Sequence, residues 1–385
     1  MTQRPFGYFC SGFLALGLVP MTAVIIPLYA LSIGASPGQV GIIMAMRSLL
    51  PFLIAIPGGA MMDRYGVRFM VTRLSLACAV LALIYPFTST FWELVLLQLV
   101  FGLCQSFCWI GVQTGIGKTY RGDPIVTSHL GFWSMGGTFA GPFMIGFVWD
   151  YFGATASFVV TAIWCLSLMI LARQLSEETA SAGTRSESKR KAYGGDYLAA
   201  FALLRDPIVF YIISCSAVRL GAVALQTSFL PVYLSDLNFA ASQIGILIGV
   251  SAISSACSSF LHGVLVKWWT PERILGVFIL GALVAVSSIS FSQSYAVLLV
   301  LNIVMGMAIG VTQPAMFSVL GARISKETQG LIVGLRTSLN RLATFLIPLG
   351  AGLTAEILGI QASFVVVGLV LFCVMSLTLI RAKFR

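Results

Sequence analysis

The sequence predicts an all-α membrane protein with twelve transmembrane helices in two pseudo-symmetric six-helix bundles. Three observations predict it: an apolar composition, a one-sided distribution of Lys and Arg, and an internal repeat. Of 385 residues, 58% are hydrophobic and only 9% are charged, and the mean hydropathy is +0.97. A soluble domain carries about 25% charged and 45–50% apolar residues, so a water-soluble globular protein is excluded. The net charge of +10 does not indicate a nucleic-acid partner, because that needs basic residues clustered on one soluble face. At about 20 apolar residues per span, the chain has room for twelve spans and little else.

Cuts at charged or Pro/Gly-rich turns place the spans at 6–33, 38–62, 69–88, 91–117, 125–149, 153–174, 207–234, 240–266, 272–292, 295–320, 330–355 and 359–380. The apolar run from Phe6 to Ile33 is too long for the core of a signal peptide and reads as the first span. Residues 175–206 are polar and mixed in charge, which reads as a solvated linker with a short surface helix near 197–204. The expected organisation is a bundle over 1–174, the linker, and a second bundle over 207–385.

The charges orient these spans. With the N-terminus in the cytoplasm, the cytoplasmic segments hold Arg4, Arg64, Arg68, Arg73, Lys118, Arg121, Arg173, Arg185, Lys189, Arg190, Lys191, Arg205, Lys267, Arg273, Arg323, Lys326, Arg381, Lys383 and Arg385. The outer loops hold no Lys or Arg; they carry Glu93, Asp150, Asp236 and Glu356. This positive-inside pattern puts both termini in the cytoplasm of a multi-pass inner-membrane protein. Four of the 23 cations remain, Arg47, Arg219, Arg336 and Arg341, and all four fall inside apolar helices. All 13 acids fall in loops or at helix ends.

The two halves repeat. Pro27, Tyr29, Gln39, Gly41 and Gly59 meet Pro231, Tyr233, Gln243, Gly245 and Gly263 at an offset of about 204, as Gly102 meets Gly306. Pro142, Gly146, Gly153, Ser157 and Phe158 meet Pro348, Gly352, Gly359, Ser363 and Phe364, shifted two further, and Asp150 is met by Glu356. Parallel repeats of this kind build rocking transporters, with the site at the midplane between the repeats.

After span two stands Gly59-Ala-Met-Met-Asp63-Arg64-Tyr-Gly66-Val-Arg68. This resembles the signature loop of the major facilitator superfamily, and the resemblance covers essentially the whole chain. Val67 takes the usual first basic position, and the second-half copy keeps Gly263 but has Lys267 in place of the Asp. Gly137, Gly141, Pro142 and Gly146 in span five resemble the family's antiporter motif, with Ile145 and Ser128 in place of two of its glycines. Gln98 stands where exporters carry an Arg four residues before Gly102, and the first span lacks the acid of many proton–drug antiporters. The resemblance implies a transporter working by alternating access, through efflux or exchange.

The signature loop has a mechanical reading. Asp63 can face the positive end of a neighbouring helix, with Arg64 and Arg68 beside it, and so latch the inner gate; the alternative is a turn whose arginines only enforce topology. Gly137, Gly141, Pro142 and Pro348 can allow close approach and bending, or can be ordinary small-residue packing. At 1.5 Å per residue, Arg341, Arg47 and Arg219 lie about 15–18 Å into a 30 Å core, while Arg336 is shallow enough to snorkel. A midplane Arg costs at least about 2.5–3.5 kcal/mol, so it needs water, a carbonyl partner or an anionic ligand that matches its planar fork. The remaining candidate lining is Tyr29, Gln39, Trp109, Gln113 and Trp133 in the first half. In the second it is Gln226, Tyr233, Asn302, Gln313 and Asn340. Any of these can equally be packing, and His129 and His262, near inner helix ends, read as interface residues.

The eight Cys lie inside apolar runs without a C-x-x-C pair and read as small buried side chains rather than a disulfide framework or metal site. No P-loop, nucleotide fingerprint or H-E-x-x-H is present. The sequence therefore reads as a monomeric secondary transporter, not an enzyme, without a cofactor. Its expected partners are the bilayer, a small organic anion or amphiphile, and a possible proton or counter-ion. The alternatives are a proton-coupled multidrug exporter of neutral or cationic lipophiles and a lysolipid or lipid flippase. A test of the topology is single-cysteine labelling in a cysteine-free background. A probe at residue 188 is expected to resist an impermeant maleimide on intact cells, and one beside Asp236 to react; efficient labelling at 188 reverses the orientation.

Overall fold

The computed structural model describes residues 5–54, 61–62, 64–120, 123–175, 203–323 and 326–382. The helices of the first half are α1 (Phe6–Ser32), α2 (Pro37–Leu53), α3 (Val67–Ile84), α4 (Phe91–Thr119) and a 49-residue run, Pro124–Ala172. Gly153 interrupts that run at φ 80°, ψ −176°, leaving two arms, α5 (124–152) and α6 (154–172). The second half contributes α7 (Pro207–Asp236), α8 (Ala241–Ser258), the short α9 (Leu261–Leu265), α10 (Pro271–Ser288), α11 (Tyr295–Arg323), α12 (Lys326–Leu358) and α13 (Ile360–Ala382). Ten helical stretches among the described residues are long and apolar enough to cross a membrane. Dividing the run at Gly153 and adding the 17-residue α2 accounts for the twelve expected spans.

The helix starts follow from local chemistry. Ser36 and Thr90 form capping boxes with Gln39 and Glu93. Asp123, Asp206 and Thr270 accept from the first free N–H groups of α5, α7 and α10, and each precedes a Pro at the first helical position. The expected loop between spans five and six is absent. A single left-handed glycine reverses the chain there, which no L side chain does without strain.

The structure carries the repeat into its backbone. Left-handed residues fall at Gly34 and Asn238, and again at Gly153 and Gly359. The α1 end bonds Ala35 N–H to the Ala30 carbonyl, and the α7 end bonds Phe239 N–H to Leu234. Single 3₁₀ turns follow α3 at Tyr85–Phe87 and α10 at Ile289–Phe291.

The chain divides into two compact units, Met1–Ser181 with Thr227–Ile253 and Ala182–Gln226 with Ser254–Arg385. In the first, α1 packs along the Pro124–Ala172 run, which also borders α3, while α4 lies against α2 and α3. In the second, α10 packs on α11 and α13, and α13 on α12. Several polar groups in the core find internal partners, as a water-free environment favours. Tyr29 Oη donates to the Thr88 carbonyl at 2.8 Å, Trp164 Nε1 to Leu14 at 2.8 Å, and Gln105 Nε2 to Thr22 Oγ1 at 3.2 Å. Tyr211 Oη donates to the Glu272 carbonyl at 2.6 Å.

The cysteine expectation holds for Cys78, Cys104, Cys108, Cys165 and Cys215, which are buried, is met halfway by Cys10, and fails for Cys257 and Cys373, which are exposed. A lipid-facing position tolerates a thiol as readily as a packed one, so apolar context alone does not distinguish them. Gly153→Ala and Gly359→Ala should each cost about 1–3 kcal/mol from backbone strain. Gly131→Ala, in a helix with open space around it, should be neutral or stabilising by up to about 1 kcal/mol. Thermal unfolding in detergent measures both.

Candidate functional site

Two arginines of the second unit meet on one helix. Arg219, from α7, donates Nε–H to Thr312 Oγ1 at 3.0 Å. Thr312 in turn donates its hydroxyl to the Ile309 carbonyl, which fixes the direction of its acceptor lone pair. Arg336, from α12, reaches the same helix one turn on. Its Nη1 contacts Met316 Sδ at 3.5 Å, and its guanidinium lies 5.5 Å from the Phe317 ring centre. Thr312 and Met316 are four residues apart, about 6 Å along α11.

The donors of this pair are incompletely used. Buried Arg336 Nε has no hydrogen-bond partner among the described residues. Asn340 Oδ1, one turn further along the same face of α12, is also buried and unpartnered. Neither Arg219 nor Arg336 forms an ion pair with a described carboxylate. Two like charges beside unfilled polar atoms in a low-dielectric setting are costly, and an anion between them would relieve that cost. Thr312 is the member that sequence reading missed; its signal is only that of a hydroxyl one residue before Gln313 in an apolar helix.

The other expected residues are more dispersed. Arg341 is half-buried on α12, about 7.5 Å beyond Arg336 by helical rise. Gln226 Nε2 donates to Asn302 Oδ1, and Asn302 donates onward to the Leu298 carbonyl, so both are engaged within the core. Gln313 is half-buried. In the first unit, Arg47 is half-buried where α2 meets Gly102 of α4, and Tyr233 is fully buried. Tyr29 stacks edge-on against Phe158, Trp109 packs on the α1–α4 core, Trp133 meets Phe6 at the surface, and Gln113 is exposed. Gln39 closes the α2 capping box.

The gating residues also separate. Gly59 and Asp63 lie outside the described residues; Arg64 is exposed, 5.3 Å from the Tyr65 ring centre, and Gly66 is the left-handed residue before α3. Arg68 is half-buried in the first turn of α3. Gly137 and Gly141 lie where α5 crosses α1, against the backbones of Phe13 and Gly17. Pro348 lies inside α12.

A closure that the sequence did not reveal joins α5 to α8. Both oxygens of Asp150, at the end of α5, accept from the first turn of α8, from Ala241 N–H at 2.8 Å and Ser242 N–H at 2.9 Å. One turn below, a Cβ on Gly146 would stand 2.5 Å from the Ala241 carbonyl, and one on Gly245 would collide with the Pro142 carbonyl. Phe139 fills the next turn against Gly249. The two backbones therefore touch over three turns, and a carboxylate caps the positive end of the partner helix.

A repeated bundle of apolar helices, with a close glycine contact and two arginines inside it that pair with no described carboxylate, has the build of a solute carrier. The chain belongs to the Major Facilitator Superfamily, whose sequence profile matches residues 8–292 and 212–384. Among similar proteins, an uncharacterised MFS-type transporter, YuxJ of Bacillus subtilis (strain 168), is 23% identical over 359 residues, covering 90% of this chain and 88% of its own. The multidrug resistance protein MdtG of Klebsiella pneumoniae (strain 342) is 25% identical over 364 residues, covering 90% and 86%. Among solved structures, the nucleoside transporter NupG superposes with a TM-score of 0.80 at 14% identity, covering 99% of each chain. A bacterial homologue of the human lysosomal transporter Spinster gives 0.76 at 13% identity, covering 98% and 96%. The protein is thus a multi-pass membrane transporter that binds a small-molecule substrate within the membrane, and not an enzyme.

The α5–α8 closure can be tested directly. Asp150→Asn removes the charge and keeps the shape, and should weaken the cap by about 0.5–2 kcal/mol, raising reactivity of a cysteine probe at Ser242. Gly146→Leu should force the helices apart and raise it further. Unchanged probe reactivity in both variants would mean that the contact does not hold the helices together.

Proposed function

We propose that this transporter moves a small organic anion or anionic amphiphile by alternating access, in the direction of efflux or exchange. The observation that supports the reading best is the pair Arg219 and Arg336, meeting one turn of α11 with no described carboxylate between them. A cationic substrate would gain nothing from this pair. A carboxylate or phosphate would gain charge-assisted bonds worth about 1.5–3 kcal/mol each. The empty state, with two repelling charges, is the costly one, and a bound anion relieves that cost.

The Asp150 cap on α8 acts in this scheme as the latch of the outer side, the side assigned by the Lys and Arg distribution. Asp63, Arg64 and Arg68 form its counterpart at the cytoplasmic end, and Arg341 contributes a further positive charge along α12. Both termini are cytoplasmic, and the working unit is the monomer.

A second reading is multidrug export of neutral or cationic lipophiles, which the relationship to MdtG favours. Purified protein should be stabilised by organic anions more than by size-matched cations or neutral lipophiles. Arg219→Ala and Arg336→Ala should abolish the anion-dependent rise in melting temperature with little loss of folded protein, since an intramembrane charge has gone. Arg219→Lys should keep the charge, lose the fork and weaken binding about tenfold. Full transport by both alanine variants would overturn the anion reading in favour of the multidrug one.

A further inference from the structure

At the end of the first unit where α3 begins and α6 ends, the surface carries an open groove of about 670 Å³, lined by Tyr65, Gly66, Arg68, Phe69, Thr72, Arg73 and Arg173. Among the described residues that line it, three are arginines and none is acidic. The helix that starts here supplies N–H groups as well. Its N-cap, Gly66, has no side chain, and no described side chain caps the first turn of α3, so that positive end faces an anion-binding setting. Thr72 Oγ1 is buried and has no hydrogen-bond partner among the described residues.

The groove adjoins the lipid. Phe69, Leu76, Val80 and Leu83 are exposed along α3, and Arg73 falls in the same stripe, four residues after Phe69 and three before Leu76. On α6, Val159, Ile163 and Ile170 are exposed, and Arg173 continues that stripe at the helix end. Two acyl-facing stripes therefore end on two arginines of one groove. Phe69 lies 5.4 Å below the Arg73 guanidinium, as an aromatic residue at headgroup depth does. Topology alone would require positive charge at this end, but not its convergence on a shared groove with an uncapped helix start and an unused hydroxyl.

We propose that this groove binds the phosphodiester headgroup of an anionic phospholipid, with Arg73 and Arg173 gripping the phosphate, the α3 N-terminus and Thr72 donating to it, and the chains lying along α3 and α6. The leaflet is the one that the Lys and Arg distribution assigns to the cytoplasm, where basic pockets between spans take anionic headgroups. This site is separate from Arg219 and Arg336, so its fate does not depend on the substrate.

The test is lipid retention by native mass spectrometry of the full chain, exchanged against phosphatidylglycerol, phosphatidylcholine or 10 mM inorganic phosphate. The parent should retain phosphatidylglycerol at least tenfold over phosphatidylcholine. Arg73→Gln with Arg173→Gln should lose that preference, Thr72→Val should reduce it severalfold, and Arg381→Gln, outside the groove, should keep it. Should the double variant fold poorly, Arg173→Gln alone with Thr72→Val reads the same loss. The proposal is overturned if the groove variants retain phosphatidylglycerol as the parent does, or if Arg381→Gln loses it equally. It is also overturned if the parent shows no headgroup preference, or if free phosphate displaces the lipid at equal concentration, which would make this a soluble-phosphate site.

Discussion

Water is missing from the hydrocarbon core, so each polar group placed there must find its partner inside the protein. The rest of the structure follows from that constraint. The backbone is helical because a helix satisfies its own hydrogen bonds. Tyrosine and tryptophan donors that face inward reach carbonyls of neighbouring helices, as Tyr29, Trp164 and Tyr211 do. Gln105 and Gln226, which in isolation suggest a polar pathway, are used up on Thr22 and Asn302. Arg336 Nε and Asn340 Oδ1 are among the buried side-chain atoms left without a hydrogen-bond partner among the described residues, as are the hydroxyls of Ser11, Thr72, Ser134 and Ser216, but these two lie one turn apart on the same helix.

The same constraint explains where helices can touch and where they can separate. A contact made of large interlocking side chains would not open readily. The α5–α8 contact is made instead of backbone against glycine, closed at one end by the exposed carboxylate of Asp150 on two N–H groups. Such a seam has little side-chain surface to unpack, and its strongest element lies next to water, where a competing hydrogen bond is available. The repeat carries over the turn that follows this seam: Gly153 and Gly359 bend the chain in the same left-handed way after Asp150 and Glu356.

The two sets of arginines act by different physics. Arg219 and Arg336 are held inside the helical bundle, where weak screening magnifies both their repulsion and any anion's attraction. Arg73 and Arg173 lie at the end of the bundle, where screening is strong and where binding depends on several donors converging. Membership of the Major Facilitator Superfamily fixes the architecture that carries both. The residues that differ from its common motifs, such as Gln98 and Val67, do not alter that architecture.

The sequence by itself determined the class, the number of spans and the repeat, because these depend on composition, on length against bilayer thickness and on residues such as Pro and Gly recurring in register. It also identified which cations lie within spans, since a charge in an apolar run is visible without a structure. It did not determine which of them meet. Arg336 reads as shallow along its own helix, yet reaches α11 beside Arg219, because an Arg side chain extends several residues' worth of rise and its end point depends on a neighbouring helix. Thr312, the Asp150 cap and the Gly146–Gly245 contact were likewise decided only by tertiary structure. Each joins residues about 90 or more apart in the chain, and periodicity within one helix carries no information about the helix it faces.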